Sequence, residues 1–137
     1  MAALVLDTRA LEMLADRGAD PAGTARVRAM LTAAARLAIP VRVPTAVLSE
    51  TYRGRPVDAA VDHVLRRGVR PITMGHSMAR VAGALRTRDG LDSCHTVDAF
   101  VVATSIRLGG GIIATADPGD LQALARDHPN VHVQAIG

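Results

Sequence analysis

Residues 96–125 read TVDAFVVATSIRLGGGIIATADPGDLQALA, and this stretch decides the fold class. Thr96 to Leu108 is apolar at helical spacing, with Val101, Val102 and Ser105 on the same stripe as Asp98. Gly109-Gly110-Gly111 stops that helix, and Ile112 to Thr115 follows as a short apolar strand. Asp117-Pro118 then supplies a capping residue and a first-turn proline, so a further helix begins there. A helix, a strand and a helix in direct succession are the repeating unit of an α/β protein.

The rest of the chain extends the pattern. Leu4-Val5-Leu6 is a buried first strand that ends at Asp7 and passes at once into a helical turn. Asp20-Pro21 opens a helix in which Val27, Met30, Leu31, Ala34 and Ala38 recur at helical spacing. Val41 to Val43 is a strand, and Pro44 opens a helix that carries Glu50 and is predicted to stop at Gly54. A helix from about Val57 to Arg67 ends at Gly68, followed by the extended Val69-Arg70-Pro71-Ile72 and a helix near Ser77 to Arg86. The loop Asp89-Gly90-Leu91-Asp92-Ser93 leads into the helix at Thr96, and Val131 to Val133 is the last strand. Short strands alternating with helices predict a parallel sheet covered on both faces. With 137 residues, no repeat and no linker, a single domain spanning 1–137 is expected.

Composition narrows the function. The chain is 49% hydrophobic yet has no Trp, one Phe and one Tyr, so its core is built from Ala, Val, Leu and Ile. No unbroken apolar stretch approaches the roughly 18 residues of a membrane span, and MAALVLDTRA lacks a charged segment followed by a long apolar one, so a cytoplasmic protein with no membrane partner is expected. The lone Cys94 excludes an internal disulfide and a metal-binding cysteine pair. All sixteen basic residues are Arg, which rules out a lysine nucleophile or a phosphate-loop lysine. The net charge of +3 is compatible with a polyanionic partner, although the arginines are scattered. Five histidines show no pairing suited to metal-free RNA cleavage, His95 beside Cys94 is too little for a zinc site, and the glycine run precedes a strand where a phosphate loop would follow one.

Four acids stand out. Asp7 and Asp117 each follow a predicted strand, where ligands bind in parallel α/β sheets, and each also suits a helix N-cap. Glu50 and Asp98 fall inside predicted helices on stripes that otherwise read as apolar, Glu50 sharing its stripe with Ala46 and Val47. A buried carboxylate needs an arginine (Arg53 for Glu50), a proton or a metal. Four carboxylates converging at about 5 Å would repel by roughly 3 kcal/mol per pair, so a convergent set must take up protons or bind a divalent cation. An all-oxygen donor set points to Mg²⁺ or Mn²⁺ over Zn²⁺.

The segments LVLDTRAL, VPTAVLSETYRG and TVDAFVVATSIRLGGGIIATADPGDLQALA resemble, in order and jointly, the PIN-domain family, in particular the VapC-type toxins of bacterial toxin–antitoxin pairs. The resemblance implies a three-layer α/β/α sandwich with a mostly parallel central sheet. It also implies that Asp7, Glu50, Asp98 and Asp117 are the catalytic, metal-holding residues of a Mg²⁺- or Mn²⁺-dependent endoribonuclease. Glu50 is then either a ligand or the base that orients the attacking water, and Thr115 matches a polar position suited to orienting a metal-bound water. Arg9 and Arg53 are candidates for the phosphates of single-stranded or looped RNA. The partners implied are an antitoxin protein and a second copy of the chain, with Val57, Ala60, Val61 and Val64 as a candidate dimer stripe that the core can explain equally well. Two departures concern this reading: Arg9 replaces a small residue, and His95 stands where relatives carry an extra acid, a role for which Asp92 is the substitute. The competing reading is a PIN-like domain that binds partners without catalysis, its acids serving as caps and ion pairs.

Overall fold

The computed structural model describes residues 2–17 and 20–137. Among them β1 (Ala3–Leu6) is followed by α1 (Thr8–Leu14), α2 (Pro21–Arg36), β2 (Val41–Pro44), α3 (Thr45–Thr51) and α4 (Ala59–Arg66). Then come β3 (Val69–Ile72), α5 (His76–Arg88), a 3₁₀ turn at Ser93–His95, α6 (Thr96–Arg107), β4 (Gly111–Thr115), α7 (Pro118–Ala125) and β5 (Val131–Ala135). The sheet has the order β3-β2-β1-β4-β5 and every pairing is parallel, so the expected mostly parallel sheet is wholly so.

This order sets the layers. Steps from β1 to β2 to β3 move one way across the sheet, and the chain then returns over β2 and β1 to β4 and β5 on the other side. Right-handed crossovers in the two directions put helices on opposite faces. Accordingly α1 packs on β1 and β4 beside α2, α3 and α4, whereas α6 lies across β1, β2, β4 and β5 with α5 and α7 beside it. Val5, Leu6, Val43, Ile113 and Ala114 are fully buried between the layers, as a sheet covered on both faces requires. Ala99 and Ala103 line the buried side of α6.

The glycine run has a packing reason beyond ending α6. Gly111 has φ +124°, and a Cβ there would overlap the backbone of Ala3, while one on Gly110 would meet Asn130. Only residues without a side chain let β4 start this close to β1.

Two expectations about helices are corrected. The helix opened by Pro44 ends at Thr51 rather than at Gly54. A distant residue causes this: the Arg17 guanidinium donates to the carbonyls of Thr51 and Val57 and pairs with Asp58 at 3.7 Å. Asp58 in turn accepts from the backbone N–H groups of Arg53 and Gly54 at 2.7 and 3.0 Å, so the chain leaves the helix with its polar groups satisfied. Glu50 therefore sits one residue from the end of α3 and is exposed, not buried on an apolar stripe. The candidate dimer stripe divides: Val61 and Val64 belong to the core, whereas Val57, in the turn before α4, and Ala60 are exposed. No helix among the described residues is long and apolar enough to cross a membrane.

Candidate metal centre

β1 and β4 are neighbours, but β1 runs into α1 on one face and β4 into α7 on the other, which opens a crevice between their carboxyl ends. Register aligns the two exits. Leu6 pairs with Ala114, and the next residue, Asp7, donates its N–H to the Ala114 carbonyl at 3.2 Å.

The two strand-end aspartates differ in how they meet their helices. Asp7 is the N-cap of α1 and accepts from the Ala10 N–H at 2.9 Å. Asp117 occupies the N-cap position of α7 but its carboxylate makes no capping hydrogen bond. The fully buried Thr115 joins them: its hydroxyl accepts from the Asp117 N–H at 3.0 Å and hydrogen-bonds the Asp7 carboxylate. That hydroxyl thus helps to place both acids. Burial pushes the Asp7 carboxyl above the usual range, against the opposing hydrogen bonds of Thr115, Ala10 and Ala116 and the charge of Arg9.

Asp98 arrives from the opposite layer. Because α6 is joined to the start of β4 by a short link, its first turn stands at the carboxyl end of the sheet, and Asp98 lies in that turn rather than mid-helix. Its carboxyl is pushed up to about 6, first by burial and then by the negative charges of Asp120, Asp117 and Asp7, with His95 opposing. Three of the four acids singled out in the sequence therefore act on one another. Glu50 stands at the rim, its carboxylate accepting from the Thr8 hydroxyl at 2.7 Å, next in sequence to Asp7. The arginine suggested as its partner goes elsewhere, since Arg53 reaches Glu12 at 3.8 Å. Arg9 is exposed and its charge is felt at Asp7.

Sequence reading missed Asp120, which exerts the largest charge effect on Asp98. The available signal was its spacing from Asp117, three residues along the first turn of α7, which puts both carboxylates near one face. Asp92, expected to stand in for the extra acid, turns instead to Cys94 and His95, and Asp120 is the acid beside Asp98. His95 links the two regions, its Nε2 lying 3.7 Å from an Asp120 oxygen.

Thr115→Val is expected to destabilise the metal-free protein by about 1 kcal/mol in urea denaturation, because a part-buried N–H loses its acceptor and Asp7 loses a donor. Thr115→Ser, which keeps the hydroxyl, should recover most of the loss. A loss in Thr115→Ser with none in Thr115→Val would mean that the methyl group, not the hydroxyl, matters.

No protein-family model matches the chain, and no curated protein is similar to it in sequence. Among solved structures it is similar to a chain in the crystal structure of VapBC2 from Rickettsia felis bound to a DNA fragment from their promoter, with a TM-score of 0.68 at 15% sequence identity. The likeness covers 96% of this chain and 97% of that one. It shows the fold of this chain to be a PIN-like three-layer α/β/α sandwich.

Proposed function

We propose that this protein is a Mg²⁺- or Mn²⁺-dependent endoribonuclease, the toxin member of a type II toxin–antitoxin pair. The observation that carries the reading is Asp98, a half-buried carboxylate whose proton affinity is raised by burial and by the negative charges of Asp120, Asp117 and Asp7. The donor set fits the ion. All four groups are carboxylates, the hard oxygen ligands that Mg²⁺ and Mn²⁺ prefer.

In this reading Asp7, Asp98 and Asp117 hold the ion. When bound, it polarises a phosphodiester and lowers the pKa of a water for in-line attack. Thr115 keeps Asp7 in place, so that its geometry is set before substrate arrives. Glu50, at the rim and held by Thr8, takes the part of the base that orients the attacking water. Arg9 meets a substrate phosphate from the solvent side, whereas Arg53 is drawn towards Glu12. An antitoxin protein and a homodimer belong to the same reading.

Purified protein incubated with single-stranded and looped RNA should cleave in Mg²⁺ or Mn²⁺, stop in EDTA and recover on adding the ion back. Attack by water leaves no 2′,3′-cyclic phosphate, which distinguishes it from a two-histidine mechanism. No cleavage in either ion would favour the partner-binding domain instead, and metal-independent cleavage would point to a histidine-based mechanism.

A further inference from the structure

We propose that Asp92, Cys94 and His95 form a second metal site, adjoining the carboxylate crevice through Asp120 and suited to a borderline-soft divalent cation, Zn²⁺ above all. The three residues lie on and just before the 3₁₀ turn that leads into α6, and their ligand atoms all fall within 4.8 Å of one another. Cys94 Sγ is 3.2 Å from His95 Nδ1, and Asp92 Oδ1 is 3.6 Å from that same nitrogen. Zinc bonds of about 2.3 Å to sulfur and about 2.0–2.1 Å to nitrogen and oxygen, at tetrahedral angles, require ligand separations of roughly 3.3–3.6 Å. The two edges that meet at Nδ1 are therefore close to those of a tetrahedron, and a fourth corner is left for water.

Sequence proximity brings three backbones together but does not aim three different side chains at one point. Two further contacts hold them there. Asp92 Oδ1 accepts the Cys94 N–H at 3.0 Å, which fixes the carboxylate beside the thiol. On the far side of the imidazole, Nε2 faces Asp120 Oδ2 at 3.7 Å. A histidine that binds metal through one nitrogen and presents the other to a carboxylate is the usual outer arrangement of zinc sites, since the carboxylate sets the tautomer and the ring orientation. Cys94 and Asp92 are exposed, so the cation has a path in.

The chemistry balances. Binding breaks the Cys94 S–H bond, forms the sulfur–metal bond and releases one proton to solvent, leaving one thiolate, one carboxylate and a neutral imidazole around a dication. Thiolate and imidazole donors favour Zn²⁺ over the Mg²⁺ expected in the all-carboxylate crevice. Through Asp120 an occupied site would tie the first turn of α6 to the first turn of α7.

Co²⁺ serves as the probe. Cys94 is the chain's single cysteine, so a thiolate-to-cobalt charge-transfer band in the full-length protein reports this site alone. Titration should give the band at one Co²⁺ per chain, with Zn²⁺ abolishing it and millimolar Mg²⁺ leaving it intact. Cys94→Ser should eliminate it, Asp92→Asn and His95→Gln should each weaken Co²⁺ binding at least about tenfold, and Asp120→Asn should weaken it by about 10–100-fold. A measurement on the unaltered chain guards against misfolded variants: Zn²⁺ should slow alkylation of Cys94 by iodoacetamide at least about tenfold. The absence of the band in the wild-type protein, or a band undiminished in both Asp92→Asn and His95→Gln, would overturn the site. Neither readout depends on RNA cleavage.

Discussion

Asp98→Asn is expected to lower Mg²⁺-dependent RNA cleavage by at least about 100-fold, equivalent to roughly 2.7 kcal/mol of transition-state stabilisation, while leaving the protein folded. The variant removes a carboxylate that the negative charges of Asp120, Asp117 and Asp7 already burden. Without metal, at neutral pH, its loss should raise stability, on the order of 1 kcal/mol once solvent screening of a half-exposed group is allowed for. Activity and stability are thus expected to move in opposite directions, which a residue serving only the fold would not do. Asp7→Asn should also abolish cleavage, yet Asn is a good N-cap and can still accept the Ala10 N–H, so α1 should survive. Cleavage assays beside urea denaturation check both variants. Wild-type cleavage in both would remove these residues from the site.

The second large effect is a metal-dependent pH profile of stability. The Asp98 carboxyl lies at about 6 in the folded protein against an ordinary 3.8, so the folded state holds this proton more tightly than the unfolded chain does. Its contribution to stability is fully present below the unfolded value and is lost as pH rises through about 6. The raised Asp7 carboxyl acts with the same sign. Asp89 lies opposite: hydrogen-bonded to Arg88 and facing Arg126 at 2.6 Å, it is held below the usual range, so its contribution fades only as pH falls below 3.8. Metal-free protein should therefore lose stability between about pH 4 and pH 6.5. Mg²⁺ at about 100 times its dissociation constant should restore about 2.7 kcal/mol at pH 7.5, and much less at pH 4.5, where protons occupy the ligands. Denaturation midpoints at the two pH values, with and without Mg²⁺, test this. An equal Mg²⁺ effect at both, or none at either, would separate the ion from these carboxylates.

Much of the architecture was legible along the chain because strand and helix signals are local. Leu4-Val5-Leu6, Val41–Val43 and Ile112–Thr115 are apolar runs bounded by turn or capping residues, and each is a strand of the sheet. Glu50 shows where local reading stops. Its helix was expected to continue to Gly54, but Arg17, far off in sequence, takes up the Thr51 and Val57 carbonyls and the helix ends at Thr51. Val61 and Val64 show the same limit, since an apolar stripe has one spacing whether it meets the core or a second molecule.

The sequence by itself determined the succession of strands and helices and the placement of Asp7 and Asp117 at strand ends, because both follow from local propensity and the rules of parallel sheets. Only the tertiary structure decided that Asp98 feels the charges of Asp7, Asp117 and Asp120, that Glu50 is exposed and accepts from Thr8, and that Asp92, Cys94 and His95 turn towards one another. The physical reason is that a carboxylate's proton affinity and a ligand's reach depend on distance and burial between side chains from different elements, and neither is written in the spacing along the chain.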